Sequence, residues 1–163
     1  MADDAGDQLA LARIREVAEE IPHSHALGIK VLEVTRDRAV YLLPYDARLI
    51  GNPETGVLHG GAITALLDGC SGTAVFGRIG QLLRIATLDL RIDYLRPAEP
   101  GKPVTAHATC YKLTRNVGFT RAVAFHEDPD DPIAHAVGTF MVSGTPGGAG
   151  SPGTPPPIRQ GTP

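Results

Sequence analysis

The sequence predicts an α+β fold in which a long central helix lies against an antiparallel β-sheet, with the element order α-β-β-α-β-β-β-β. Apolar residues recur at helical spacing along residues 59–76, which predicts the central helix. Segments after residue 87 alternate between apolar and polar side chains and are joined by short turns, which favours antiparallel pairing. Hydrophobic residues make up 42% of the 163 residues, so the chain can fill one core. A sheet covered by one helix satisfies all three observations.

The first half of the chain predicts a helix and a β-hairpin. Residues 8–21 carry apolar side chains at steps of three and four, and Pro22 is expected to end this helix. Two strands are predicted over residues 27–35 and 38–43, and Arg36-Asp37 between them suggests a tight turn. Residues 44–58 contain glycine and proline and are predicted to be irregular.

The second helix, predicted over residues 59–76, combines an apolar stripe with several glycines. A glycine in a helix interior costs up to ~1 kcal/mol relative to alanine. We therefore expect this helix to pack tightly against the sheet. The stripe consists of Ile63, Leu66, Leu67, Cys70 and Ala74, and the glycines stand at positions 60, 61, 69 and 72.

Four strands are predicted to complete the sheet. In the first of them Leu88, Leu90, Ile92 and Tyr94 alternate with polar residues and are expected to share the apolar face. The other three are predicted around residues 104–111, 117–125 and 133–141. The organisation is then an N-terminal helical segment (1–25), one domain (26–143) and a tail (144–163). Because the tail is rich in glycine and proline and has little to bury, we expect it to be disordered.

Composition and charge exclude several classes of protein. The net charge of −3 and the pI near 6.0 argue against nucleic acid or an anionic membrane as a partner. The acidic opening predicts no signal peptide, and no apolar run approaches the ~18 residues of a membrane span. Cys70 and Cys110 form no Cys-x-x-Cys motif and are expected to be buried thiols. A cytoplasmic location is the resulting expectation.

His59-Gly60-Gly61 opens the central helix directly after the irregular segment. The first N–H groups of a helix lack intrahelical partners and carry the positive end of its dipole. Glycines there let a substrate carbonyl approach those N–H groups closely, which is what an oxyanion hole requires. The alternative is that the glycines serve only close packing against the strands.

Asp68 lies farther along the same helix, beside its apolar stripe. A partly buried aspartate can act as a general base, although a solvated aspartate on the exposed face is the alternative. His59 and Asp68 are nine positions apart in the helix, a rotation of about 180° and a rise of about 13 Å. If both serve one substrate, two chains must contribute, which predicts a dimer with each site at the interface.

Three stretches resemble the hotdog-fold acyl-CoA thioesterases, most closely the PaaI-like (phenylacetic acid degradation) branch. They are Thr55-Gly-Val-Leu-His-Gly-Gly-Ala-Ile-Thr-Ala-Leu-Leu-Asp68, Ala86-Thr-Leu-Asp-Leu-Arg-Ile-Asp-Tyr-Leu-Arg-Pro97 and Ala134-His-Ala-Val-Gly-Thr-Phe140. The resemblance spans residues 26–143. It implies hydrolysis of an acyl-CoA thioester, no metal or bound cofactor, and a homodimer that pairs further into a tetramer.

The resemblance also implies roles for individual residues. The Gly60 N–H would polarise the thioester carbonyl and His59 would help to shape that pocket. Asp68 would be the catalytic carboxylate, as general base or as nucleophile. Thr87 would position the water or the carboxylate, and Asn52 would be an upstream active-site asparagine.

Further candidates bind substrate without taking part in the chemistry. Gly61 is expected beside the thioester, and Arg96 is the candidate for the phosphates of coenzyme A. Leu58, Phe76 and Leu82 are candidates for an apolar lining of the substrate pocket, and the alternative for all three is a position in the core. Two other functions stay open: a hotdog dehydratase or hydratase acting on acyl-thioesters, and a protein that binds acyl-CoA without turnover. The acyl group itself is not predicted.

Overall fold

The structure, a computed structural model, describes residues 2–144 of the chain. Within that range the elements follow the predicted order, with a short helix and a two-stranded hairpin added. They are α1 (Ala2–Glu19), α2 (Pro22–Ala26), β1 (Lys30–Val34), β2 (Ala39–Leu43), β3 (Ile50–Asn52), β4 (Val57–Leu58), α3 (Gly60–Ile79), β5 (Arg84–Tyr94), β6 (Val104–Leu113), β7 (Val117–Phe125) and β8 (Ala134–Ser143).

Six strands form one antiparallel sheet in the order β1-β2-β6-β7-β8-β5. The long helix α3 packs across one face of this sheet. Small residues line that face of β7 and β8, and they let the helix approach closely. A Cβ added to Gly118 would lie 2.9 Å from the Val75 methyl groups. A long helix against a large antiparallel sheet is the hotdog arrangement, and the predicted fold class is confirmed.

The N-terminal helix differs from its prediction at both ends. It begins at Ala2 and ends at Glu19, and Pro22 starts the short helix α2. Proline is well tolerated at a first helical position because the N–H that it lacks has no partner there. Helix α1 packs against β1 and α3 and buries Leu11, Ile14 and Ala18.

The hairpin and the central helix agree with their predictions in type and position. Strands β1 and β2 pair directly, and the turn between them is closed by a 2.8 Å bond from the Thr35 N–H to the Arg38 carbonyl. Helix α3 continues one turn past the predicted end. It stops where Gly80 adopts a left-handed conformation with φ of 75°, a common way to end a helix.

The irregular segment holds more structure than its prediction. Ala47–Leu49 form a 3₁₀ turn, and the short strands β3 and β4 pair as a small hairpin just before α3. This hairpin packs closely on the start of α3. A Cβ added to Gly51 would lie 2.8 Å from the His59 Cα.

Strand β5 contains a β-bulge that the alternating pattern did not predict. Thr87 pairs with Phe140 and Asp89 with Thr139, so Leu88 is the extra residue. The prediction that Leu88 shares the apolar face with Leu90 is wrong, since Leu88 is 57% exposed. The bulge reverses the alternation on its N-terminal side, so Thr87 shares the helix-facing side of the sheet with the buried Phe140.

Three further expectations concern the C-terminal tail, membrane-spanning helices and the two cysteines. The predicted tail, apart from Gly144, lies outside the described residues. None of the helices in residues 2–144 is long and apolar enough to cross a bilayer. Cys70 and Cys110 are both buried and free, as expected.

Candidate active site

The side chain of His59, the residue before α3, caps the start of this helix. His59 has an extended backbone (φ −64°, ψ 133°), and its Nδ1 accepts a 2.9 Å bond from the Gly61 N–H. The His59 carbonyl accepts from the Ala62 N–H at 3.0 Å. The Gly60 N–H is left without an acceptor in the described part of the chain. Both glycines were predicted to offer N–H groups. In the described residues the Gly60 N–H is free, whereas the Gly61 N–H is bonded to the His59 side chain.

Two hydroxyl groups hold the Gly60 carbonyl. The Tyr94 hydroxyl donates to it at 2.7 Å and the Thr64 hydroxyl at 3.1 Å, and these two hydroxyls lie 2.9 Å apart. Sequence reasoning did not nominate either residue. The sequence feature that could have suggested Thr64 is its position one helical turn after Gly60.

A cavity of about 390 Å³ opens beside Gly60. Its lining includes Leu58, Ile63 and Tyr94, together with the chain that follows β5. Arg96 also lines it, as its predicted contact with substrate would require. Its guanidinium is already engaged by the Asp131 carboxylate at 2.9 and 3.2 Å.

Asp68 is half-buried in the middle of α3, and its carboxylate has one partner within residues 2–144. The Thr87 hydroxyl donates to the Asp68 Oδ1 at 2.9 Å. The bulge in β5 makes this contact possible, because an unbroken alternation would place Thr87 with Asp89 on the far face of the sheet. The structure thus places the Thr87 hydroxyl on the Asp68 carboxylate, one of the two contacts expected of it, and its role in the reaction remains a prediction.

A second cavity, of about 210 Å³, opens beside Asp68 and Thr87. Its remaining lining is nearly all apolar and comes from α3, β5, β8 and the residue before α2. The lining residues are Ile21, Gly69, Gly72, Thr73, Phe76, Ile85 and Phe140. Phe76 thus lies where a pocket lining was expected, whereas Leu82 is 38% exposed and lines neither cavity.

The two halves of the predicted site are separated within one chain. Gly60 and Asp68 are eight positions apart along the helix, a rise of about 12 Å. The two cavities have no lining residue in common. A substrate carbonyl bonded to Gly60 is thus out of reach of Asp68 of the same chain.

Asn52 lies at the end of β3, exposed to solvent. Its side-chain oxygen accepts from the Glu54 N–H at 3.0 Å, and its carbonyl accepts from the Gly56 N–H at 2.8 Å. These bonds close the turn of the β3–β4 hairpin. The predicted role of Asn52 in the active site remains a prediction.

The family model described as Thioesterase superfamily matches residues 55–133, which hold both halves of this site. The curated relative "Medium/long-chain acyl-CoA thioesterase YigI" of Escherichia coli is 30% identical over 135 residues, which cover 75% of this chain and 86% of the relative. The chain belongs to the thioesterase superfamily. The matched range contains the candidate site residues His59, Gly60, Asp68 and Thr87, whose roles in the reaction remain predictions.

Solved structures agree with this assignment. A Pseudomonas aeruginosa protein shares 45% identity with a TM-score of 0.73, and the match covers 81% of this thioesterase and 98% of that chain. A variant of the phenylacetic acid degradation protein PaaI from Thermus thermophilus shares 30% identity with a TM-score of 0.64, covering 74% and 97% of the two chains. The resemblance to the PaaI-like branch of hotdog thioesterases is confirmed.

Proposed function

We propose that this thioesterase hydrolyses acyl-CoA to a free acid and coenzyme A, as a homodimer in which each site combines Gly60 of one chain with Asp68 of the other. The observation that carries the proposal is the separation of two incomplete half-sites within one chain. One half offers an unpaired N–H and the other an oriented carboxylate. The name of the Escherichia coli relative supports acyl-CoA as the substrate class.

Strand β5 suggests how two chains would complete the site. It lies at one edge of the sheet and pairs only with β8 among the described strands. Its first residues, Ile85 and Thr87, border the Asp68 cavity, and its last residue, Tyr94, borders the Gly60 cavity. If two copies of β5 pair antiparallel about a two-fold axis, the start of one strand lies beside the end of the other. Each Asp68 cavity then meets the Gly60 cavity of the partner.

The chemistry needs a base for water and a donor for the thioester oxygen. The Asp68 Oδ1 is held by Thr87, and Oδ2 has no partner in residues 2–144. In the general-base route Oδ2 takes a proton from water as the oxygen attacks the carbonyl carbon. The Gly60 N–H stabilises the negative charge that forms on the thioester oxygen. The C–S bond then breaks, and the sulfur of coenzyme A receives the proton from Asp68.

The nucleophilic route differs only in the attacking atom. Asp68 itself would attack the thioester carbon and form an anhydride with loss of the thiolate, and water would then release the acid. Thr87 orients the carboxylate in both routes. His59 shapes the start of α3 through its bond to Gly61, and Asn52 remains a candidate through the neighbouring hairpin.

The apolar cavity beside Asp68 suits the acyl group of the substrate. Its walls, including Phe76, Ile85 and Phe140, offer carbon surface directly next to the proposed base. The larger cavity beside Gly60, with Leu58 and Gly61 close to it, is assigned to the thioester and the adjoining part of coenzyme A. To bind a phosphate of coenzyme A, the Arg96 guanidinium would have to give up its hydrogen bonds to the Asp131 carboxylate.

Two further parts of the proposal concern assembly and location. We expect two dimers to associate into a tetramer, which sedimentation at several protein concentrations would test. We also place the enzyme in the cytoplasm, where Cys70 and Cys110 would remain the free thiols seen in the structure.

The experiment is a thiol-release assay over a panel of acyl-CoAs with the wild type, Asp68→Ala and Asp68→Asn. We expect thiol release by the wild type, and loss of at least ~10³-fold in kcat in both variants while the dimer persists. Asp37→Asn, an exposed site in the β1–β2 turn, is the matched control and should keep the wild-type rate. Hydration of an unsaturated acyl-CoA without thiol release would instead show a dehydratase or hydratase. Tight binding without any reaction would show an acyl-CoA-binding protein.

A further inference from the structure

The peptide group that joins Gly60 to Gly61 is hydrogen-bonded at both ends. Its carbonyl accepts from the Tyr94 hydroxyl at 2.7 Å, and its N–H donates to the His59 Nδ1 at 2.9 Å. Two successive glycines are the least restrained residues with which to begin a helix. A peptide group tied on both sides cannot rotate freely, even though glycine itself offers no restraint.

Tyr94 is the member of this arrangement that comes from another element. It is the last residue of β5, so its bond ties the first turn of α3 to the sheet. A phenol has a single proton, and the shorter bond assigns it to the Gly60 carbonyl. The Thr64 hydroxyl lies 3.1 Å from that carbonyl and 2.9 Å from the Tyr94 oxygen, so it supports both.

The Gly60 N–H lies on the peptide group immediately before the one that is tied. The His59 carbonyl belongs to this same peptide group and accepts from the Ala62 N–H at 3.0 Å, and the following peptide group is held by Tyr94. The direction of the Gly60 N–H therefore depends on the bonds that these two peptide groups make. An oxyanion donor is effective when it is already aimed before the charge appears.

We propose that Tyr94, supported by Thr64, is a positioning residue that holds the first turn of α3 so that the Gly60 N–H stays aimed at the thioester oxygen. This inference rests on the proposed function. Tyr94 also borders the same cavity as Gly60. Its hydroxyl acts through the backbone, whereas its ring only lines the cavity, so removing the hydroxyl should affect the reaction step more than binding.

The test compares Tyr94→Phe and Thr64→Val with the wild type in steady-state hydrolysis of acyl-CoA. For Tyr94→Phe we expect kcat to fall by about 5- to 10-fold with KM within about twofold, the size expected for one neutral hydrogen bond. Thr64→Val should lose less, and Thr64→Ser should recover most of that loss. Tyr111→Phe is the matched control, because Tyr111 is 52% exposed, similar to the 49% of Tyr94, but contacts Phe119 and Arg121 instead.

A second measurement does not depend on substrate. Amide hydrogen exchange at Gly61 should accelerate by about 10-fold in Tyr94→Phe, since the peptide group loses the shorter of the two hydroxyl bonds to its carbonyl. Faster exchange together with an unchanged kcat would make Tyr94 merely structural and overturn the proposal. An unchanged exchange rate would overturn it as well. If the wild type releases no thiol from any acyl-CoA, the proposed function fails and the positioning role fails with it.

Discussion

Replacing Gly60 by proline would remove one hydrogen-bond donor and leave the surrounding backbone almost unchanged. Gly60 is the first residue of α3, a position at which proline is favoured. It does not have the positive φ that proline cannot adopt. His59 before it is already extended, with ψ of 133°, as a residue preceding proline must be. The Gly60 N–H also has no partner in the described residues, so its loss breaks no structural bond.

The expected loss follows from the role of that donor. Removing one oxyanion donor costs ~10²–10³-fold in kcat, which is about 3–4 kcal/mol of transition-state stabilisation. Gly60→Ala is the matched control, because it adds a Cβ but keeps the N–H. In either variant the new Cβ would lie 3.3 Å from the Tyr94 hydroxyl, so the steric effect of that carbon is shared. The proline variant should therefore be at least ~30-fold slower than the alanine variant.

Combining two inactive chains tests whether the site is shared. When Gly60→Pro and Asp68→Ala chains are co-expressed in equal amounts, each site draws its N–H from one chain and its carboxylate from the other. Half of the sites would have an intact Gly60, and half of those an intact Asp68. About a quarter of the wild-type activity should then return, whether dimers or tetramers form. Each variant alone should stay near 1% or below.

The result that would refute this reasoning is the absence of recovery in a mixture that native mass spectrometry shows to contain mixed dimers. In that case both groups would have to act within one chain, against the ~12 Å that the helix places between them. Equal rates for Gly60→Pro and Gly60→Ala would separately remove the N–H from the mechanism. The thiol-release assay with the best acyl-CoA of the panel measures both outcomes.

The remaining predictions concern acyl-chain preference and alkaline stability. Phe76→Ala enlarges the cavity beside Asp68, so kcat/KM across saturated acyl-CoAs of increasing length should shift toward longer chains by ~10-fold or more, and an unchanged optimum would remove Phe76 from the acyl pocket. Burial raises the pKa of the Tyr41 hydroxyl and of the Cys70 thiol, so the folded chain keeps protons that the unfolded chain releases above about pH 9. The free energy of unfolding, measured in urea, should therefore fall as the pH rises above that value, by up to about 1.4 kcal/mol per pH unit for each group, and Tyr41→Phe should reduce the slope.

The larger elements could be predicted because their signals are local. Helix α3 was predicted from an apolar stripe that includes Leu66 and Cys70, both of which are fully buried. The hairpin β1–β2 followed from two short apolar runs around Arg36-Asp37. Boundaries were less accurate where local rules compete, as at Pro22, which was expected to end a helix and instead begins one.

Several residues of the candidate site could be nominated from the sequence, but their contacts could not. The His-Gly-Gly turn and Asp68 stand out in the sequence, and their spacing already implied that one helix cannot bring them together. The contact of Thr87 with Asp68 could not be deduced from alternation, because the bulge at Leu88 is a pairing irregularity between β5 and β8. The hydrogen bond from the Tyr94 hydroxyl to the Gly60 carbonyl was also missed, since it joins residues 34 positions apart.

The sequence by itself determined which groups are available and how far apart they lie along α3, because helical rise and rotation depend only on residue spacing. It also determined that the start of this helix has N–H groups to offer, since the first turn lacks partners in any helix. Only the tertiary structure decided how this first turn is held, because the Tyr94 hydroxyl reaches the Gly60 carbonyl from β5. The register of β5 decided which strand residues face α3, and register depends on pairing between distant segments.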